Sequence, residues 1–238
     1  QEGGRDAMNP YRCVFQMGIE KSLEYRVNFL LTMLSGIFPV IIQTFMWNYM
    51  YGHSDAASAT GYTYSQIMVY TLLATLVSQL VNTGFEWQVN DDIKRGGLNK
   101  YLVRPVHYGG YQFWSFLGEK IPQLFLLLSV SVFLIGFSVL FLGLTLSGTR
   151  ILLFIARLVL ALPLNFFMFY SLALLSFYLT DVNQFFGTVS IVLVVISGGI
   201  FPLDIFGEKA ALITRILPFG YTTQFPVNII NGRYGLIT

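Results

Sequence analysis

Five long apolar runs constrain this chain more than any other feature: residues 27–50, 65–84, 123–146, 151–179 and 185–201. A helix crossing a hydrocarbon layer of about 30 Å needs roughly 20 mostly apolar residues. Lipid offers no partner for open backbone, so the runs are predicted to be transmembrane helices rather than barrel strands. Composition agrees, since only 11% of the 238 residues are charged against about 25% in a soluble domain. The expected fold is an all-α integral membrane protein with one domain over residues 1–238. A net charge of +2 is too small to suggest a nucleic-acid partner. The single cysteine, Cys13, excludes an internal disulfide, and His53 and His107 lack ligating neighbours, so no metal is expected.

Ahead of the first run, Tyr11, Phe15, Ile19 and Leu23 recur every four residues. Residues 11–25 are predicted to form an amphipathic helix, either lying in the membrane interface or extending the first span. No cleavable signal peptide is expected. Residues 1–7 have the character of a tag remnant or a processed start, with Met8 the expected initiator. Arg5, Arg12, Lys21, Arg26, Lys94, Arg95, Lys100, Arg104 and Lys120 fall on one side of the predicted spans, and the 51–64 loop carries no Lys or Arg. The positive-inside rule therefore predicts a cytoplasmic N-terminus and a cytoplasmic polar insert between spans two and three. Gly198, Gly199 and Pro202 break the fifth run, and Pro218 and Pro226 interrupt the apolar stretch beyond it. Five spans leave the C-terminus outside, and a sixth span is expected after Thr238.

Three groups of residues could carry function. The polar insert contains Glu86, Asp91, Asp92, Ile93, Lys94, Arg95, Leu98, Tyr101 and Arg104. Gly96-Gly97 should end one short helix, and Arg104-Pro105 should stop a second. An apolar ridge of Ile93, Leu98, Tyr101 and Leu102 with flanking charges suits docking into a partner's groove; the same charges also suit anionic lipid headgroups. The second group is polar and lies within the spans: Gln43, Asn48, Gln79, Asn82 and Asn165, with Arg157 near enough to an end to snorkel. Such residues either join helices or line a pathway. Pro163 is expected to kink span four. The third group is the break at Gly198, Gly199, Pro202 and Pro218.

Absences also constrain function. No Asp or Glu stands well inside a predicted span, where ion-coupled carriers commonly place one. No Gly-Lys dipeptide occurs, so the chain has no phosphate-binding P-loop; H-E-x-x-H and G-x-S-x-G are also missing. The chain is not expected to be an enzyme, nor to hold a cofactor.

Four stretches resemble the ABC-2-type permeases, the membrane subunits of bacterial ABC exporters whose ATPase is a separate polypeptide. They are Tyr25-Arg26-Val27-Asn28-Phe29; Asp92-Ile93-Lys94-Arg95-Gly96-Gly97-Leu98 with Leu102-Val103-Arg104-Pro105; Gly198-Gly199-Ile200-Phe201-Pro202-Leu203; and Leu217-Pro218-Phe219 with Phe225-Pro226. The resemblance implies a six-helix permease half in the bacterial cytoplasmic membrane. It also implies a coupling element in residues 86–105 and an extracellular or re-entrant gate element in residues 202–226. Two halves, identical or paralogous, would pair in membrane lipid, with the pathway between two copies of spans one, two and five. Two ATP-binding subunits would dock beneath them, with ATP and Mg bound there. Alternatives are an ATP-independent channel and an accessory assembly subunit.

Overall fold

The computed structural model describes residues 10–24, 26–103, 106–142, 147–179, 182–207, 212 and 216–232. Among these no strand occurs, and the helices follow the apolar runs with instructive departures. The first, α1 (Pro10–Glu24), precedes the first predicted span. That span is interrupted: α2 (Arg26–Ser35) and α3 (Ile37–His53) meet at a turn on Gly36. After the short α4 (Ala56–Thr60), α5 (Tyr64–Val81) begins in a capping box, with the Thr63 hydroxyl accepting from the Gln66 backbone N–H and the Gln66 side chain accepting in return.

The polar insert folds as α6 (Phe85–Lys94) and α7 (Asn99–Leu102), joined by a turn through Gly96-Gly97. The third predicted span starts well before residue 123. Helix α8 (Tyr108–Leu142) has 35 residues, about 52 Å at 1.5 Å per residue. It exceeds the hydrocarbon thickness, so much of the insert's second half is a prolongation of the span. Helix α9 (Gly148–Ala173) continues through Pro163 and tightens into a 3-10 turn at Leu174–Phe177. The fifth run yields only α10 (Asn183–Ile196), 14 residues or about 21 Å. That is too short to cross a core of about 30 Å by itself. Beyond it come 3-10 turns at Leu203–Phe206 and Pro218–Tyr221, then α11 (Gln224–Ile230). Among the described residues, three stretches are long and apolar enough to span a membrane: Tyr64–Lys94, Tyr108–Phe133 and Gly148–Phe177.

One core joins α5, α8, α9 and α11 through Val69, Leu73, Val77, Leu127, Leu158 and Val227. Outward faces are apolar as well: Phe38, Ile42 and Phe45 on α3, Phe125 and Phe133 on α8, and Leu152 and Phe167 on α9 are exposed. A fold that shows phenylalanine on several outer faces is built for hydrocarbon, and the chain is a membrane protein.

Helix α1 does not stand alone. It packs along the first turns of α8, where the two backbones cross at Gly18 and Gly118. A Cβ on Gly18 would lie 2.6 Å from the Ser115 carbonyl oxygen, and one on Gly118 would strike the Phe15 carbonyl. Lys21 pairs with Glu119 at 2.7 Å, and Phe15 meets Trp114 edge-to-face. The buried α1 positions are Val14 and Gly18, one turn apart, while Leu23 of the four-residue repeat remains exposed.

Candidate functional sites

The end of the bundle bearing α6 and α7 is built around the break between α5 and α6. When α5 ends at Val81, its last carbonyls need donors. Asn165 of α9 donates to the Val81 carbonyl, and Lys120 of α8 donates to the Asn82 carbonyl at 2.5 Å. A cation at a helix C-terminus also complements its dipole. On the other side of the break, Glu86 accepts from the Thr83 hydroxyl at 2.7 Å and from the Gly84 N–H at 2.8 Å. A carboxylate there complements the start of α6. Glu86 is 1% exposed. The expectation that it faces a partner is therefore corrected: its carboxylate holds the break.

Asp92 is likewise turned inward. It accepts from Lys100 at 3.0 Å and from the Tyr108 hydroxyl at 2.9 Å, so α6, α7 and α8 meet on one carboxylate. Gly97 packs directly on it. Tyr101, expected in an outward ridge, is buried between Tyr108 and Tyr111, at ring separations of 4.8 and 5.0 Å. Ile93 and Leu98 are half-buried or less and line, with Tyr101, a groove of about 350 Å3 against His107, Tyr170 and Phe177. The ridge faces inward because the tyrosines of α8 offer it aromatic surface. Lys94 donates to the Leu179 carbonyl. Facing outward are Asp91, Arg95, Asn99, Lys100 and Val103, the last 86% exposed. Asp91 and Arg95 lie 3.7 Å apart and are both well exposed, a geometry that contributes little to stability. Arg104 lies outside the described residues, and the side chain of Leu102 is not described either.

This element is tied to the spans through aromatic rings. Phe85 stacks on Phe166 of α9 at 4.9 Å, and Phe116 of α8 meets both rings at 5.5 Å. Such pairs contribute about 0.5–1.5 kcal/mol each beyond burial.

The polar residues of the predicted spans separate. Asn82 and Asn165 line a cavity of about 320 Å3 between α5, α9, α10 and the tail, whereas Gln43, Asn48 and Gln79 do not line it. Gln43 is buried on α3 with its side-chain oxygen unpartnered, Asn48 is exposed and Gln79 half-buried.

The break after α10 returns the chain into the bundle. Gly198 adopts a left-handed φ of +79°, its carbonyl accepts from the Tyr70 hydroxyl at 2.6 Å, and a Cβ there would meet that hydroxyl. Gly199 lies against Ser78, where a Cβ would come within 2.5 Å of the hydroxyl oxygen. Pro202 is buried and leads into the first 3-10 turn, while Pro218 opens the second and is exposed. Helix α11 is buried along its whole length, so residues 224–230, too broken in sequence to read as a span, occupy the interior. Residues 208–211 and 213–215 of the expected gate element, and everything after 232, lie outside the described residues.

Sequence reasoning missed Asp204. Its carboxylate accepts from Gln224 at 2.8 Å and Asn228 at 3.4 Å, and the Tyr62 hydroxyl lies 3.2 Å away. Gln66 and Asn231 exchange side-chain to backbone hydrogen bonds nearby. The signal available was the recurrence of Gln224 and Asn228 at a four-residue spacing in an apolar tail. The role of Lys120 was also missed, since in sequence it is only one more positive charge on the inner side.

A family model described as an ABC-2 family transporter protein matches residues 37–237. No curated protein and no solved structure matched the chain.

Proposed function

We propose, from the premise that the chain belongs to the ABC-2 transporter family, that it is the permease subunit of an ATP-driven exporter in a bacterial cytoplasmic membrane. The family implies a permease component of an ABC transporter and, in general, a partner ATP-binding subunit. In this reading the polar end is cytoplasmic, ATP and Mg reside on the partner, and two permease halves pair. This chain performs no hydrolysis.

One observation carries the reading: α6 and α7 are fastened to the spans on their inner face and charged on their outer face. Glu86, Asp92 and Tyr101 are spent on internal contacts and Lys100 is committed to Asp92, while Asp91, Arg95 and Val103 remain for a partner. A force applied to that outer face passes through Asp92 to α8 and through Phe85 to α9. Closure of the ATPase pair would thus reach the spans without deforming the element that receives it. The element over residues 202–226 is where those movements would open the far side. The test is purification from the native membrane in mild detergent, with mass spectrometry of co-purifying proteins. We expect a stoichiometric P-loop ATPase that is lost with Asp91→Lys combined with Arg95→Glu. Retention of the ATPase by that variant would reject this surface, and transport by the purified chain alone would favour a channel.

A further inference from the structure

A second cavity, of about 260 Å3, lies between the last turn of α1, the start of α6 and one face of α8. Unlike the apolar cavity beside α10, it is lined by Lys21, Gln88, Gln112, Glu119, Lys120 and Gln123 among others. Its depth follows from the length of α8. Counting back from Leu142 by the roughly 20 residues that cross about 30 Å of hydrocarbon reaches Pro122. Glu119, Lys120 and Gln123 therefore stand at the level of lipid headgroups, with the exposed Phe125 and Phe133 on their hydrocarbon side.

The lining has hydrogen-bonding capacity of both signs to spare. Lys120 is 6% exposed, and its ammonium donates to the Asn82 carbonyl. That carbonyl belongs to the peptide joining Asn82 to Thr83, and Thr83 and Gly84 line the cavity, so the ammonium ends at the cavity wall. An ammonium has three N–H donors, and among the described residues only this one hydrogen bond engages them. Glu119 presents the opposite sign. Lys21 and Ser115 both donate to its Oε1, and among the described residues nothing donates to its Oε2. Its side chain is 32% exposed. Gln112, 2% exposed, donates to the Tyr108 hydroxyl. Its side-chain oxygen has no partner among the described residues and is not sealed from the open space beside it. The charges balance: Lys21 and Lys120 are offset by Glu119 and by Glu86, which sits behind Thr83 and Gly84.

We propose that this cavity binds the headgroup of a phosphoethanolamine lipid, with its phosphate on Lys120, its ammonium toward Glu119 and Gln112, and its acyl chains along Phe125. A ligand of either net charge would upset a balanced site, whereas a zwitterion satisfies the spare donors and acceptors together. The order along α8 matches the order along such a lipid. Phe125 lies in hydrocarbon, Lys120 at the phosphate, and Glu119 and Gln112 further out, where the ammonium is. The ammonium must carry N–H groups, because Glu119 and Gln112 offer acceptors. Binding needs only a chain embedded in a bilayer and no ATPase, so the site stands or falls independently of the permease reading.

The test uses the purified full chain, stripped of lipid in mild detergent. Dioleoyl phosphatidylethanolamine, phosphatidylcholine and phosphatidylglycerol are added at equal concentration, and bound lipid is counted by native mass spectrometry. Phosphatidylcholine has no N–H for Glu119, and phosphatidylglycerol brings an uncompensated negative charge. We expect phosphatidylethanolamine to be retained about tenfold better than either. Glu119→Gln removes the anion beside Lys120 and keeps its shape. Preference should then turn to phosphatidylglycerol, a switch that damage to the fold would not produce. Gln88→Trp, at an exposed lining position, should abolish retention while the unfolding midpoint without lipid stays fixed. Equal retention of the three lipids, retention of none, a preference unmoved by Glu119→Gln, or full retention by Gln88→Trp would overturn the proposal. Soluble glycerophosphoethanolamine shares the headgroup chemistry but lacks the chains. It should fail to displace the lipid at equal concentration, and displacement would overturn the assignment to a lipid.

Discussion

The polar end and the buried tail answer the same problem in opposite ways. Both contain a helix break inside a membrane fold, and both bring polar groups into the bundle. At the break between α5 and α6, Glu86, Lys120 and Asn165 all find partners within hydrogen-bond reach. At the break after α10, Ser78 Oγ, Thr223 Oγ1 and the Gln224 side-chain oxygen do not. A saturated break is rigid and transmits force. An unsaturated break loses less when it rearranges, since its buried polar groups have no partners to give up. Movement is therefore expected in the tail, with its left-handed Gly198, rather than at α6 and α7.

The contrast is most open to disproof at Asp92. Asp92→Ala removes the acceptor shared by Lys100 and Tyr108, at a cost of about 3 kcal/mol if both charge-assisted bonds are lost. The expected result is an earlier unfolding midpoint in detergent and a loss of ATPase-coupled transport. An unchanged midpoint would mean the polar end is not fastened as described.

Next is Gly198→Ala. The left-handed backbone costs an L-residue about 1–2 kcal/mol, and the added Cβ falls 2.6 Å from the Tyr70 hydroxyl oxygen. Insertion should persist while transport falls. Normal transport with lowered stability would remove the tail from the mechanism.

Lys120→Met keeps length and removes the donor to the Asn82 carbonyl, a change expected to cost about 2 kcal/mol in denaturant unfolding. The matching change at the other break, Thr223→Val, should cost less than about 1 kcal/mol, because that hydroxyl has no partner to lose. Equal losses at both positions would erase the contrast.

The smallest effect is Asp91→Ala. The exposed, loosely paired carboxylate contributes less than about 0.5 kcal/mol to folding, so the midpoint should stay fixed while ATPase retention drops. Asp91 and Asp92 are neighbours with the same chemistry, and only one should matter to stability.

That pair also explains how far the sequence could be read. Apolar runs and glycine or proline breaks are local signals, so the helical class, the short α6 and α7, and the break at Gly198-Gly199 were legible. The direction of a side chain is not local. Asp91 and Asp92 look alike until Tyr108 is in place, and Glu86 reads as a surface charge until the helix break turns it on its own N-terminus. Asn165 was legible as a joining residue or a pathway residue, but its choice depends on Val81, 84 positions away. Helix α11 was hidden because seven residues interrupted by Pro226 carry no span-length signal, although α5 and α9 enclose them.

The crossing of Gly18 with Gly118 bears on biosynthesis. Lys21 and Glu119 are 98 positions apart, so α1 leaves the ribosome well before the surface it will occupy exists. At about 5–20 residues per second, that interval is roughly 5–20 s. Throughout it, the apolar stripe of Tyr11, Phe15, Ile19 and Leu23 has no helix to meet, and the bilayer surface is the nearest apolar phase. Only when α8 has been made can that stretch of sequence become a splint on it.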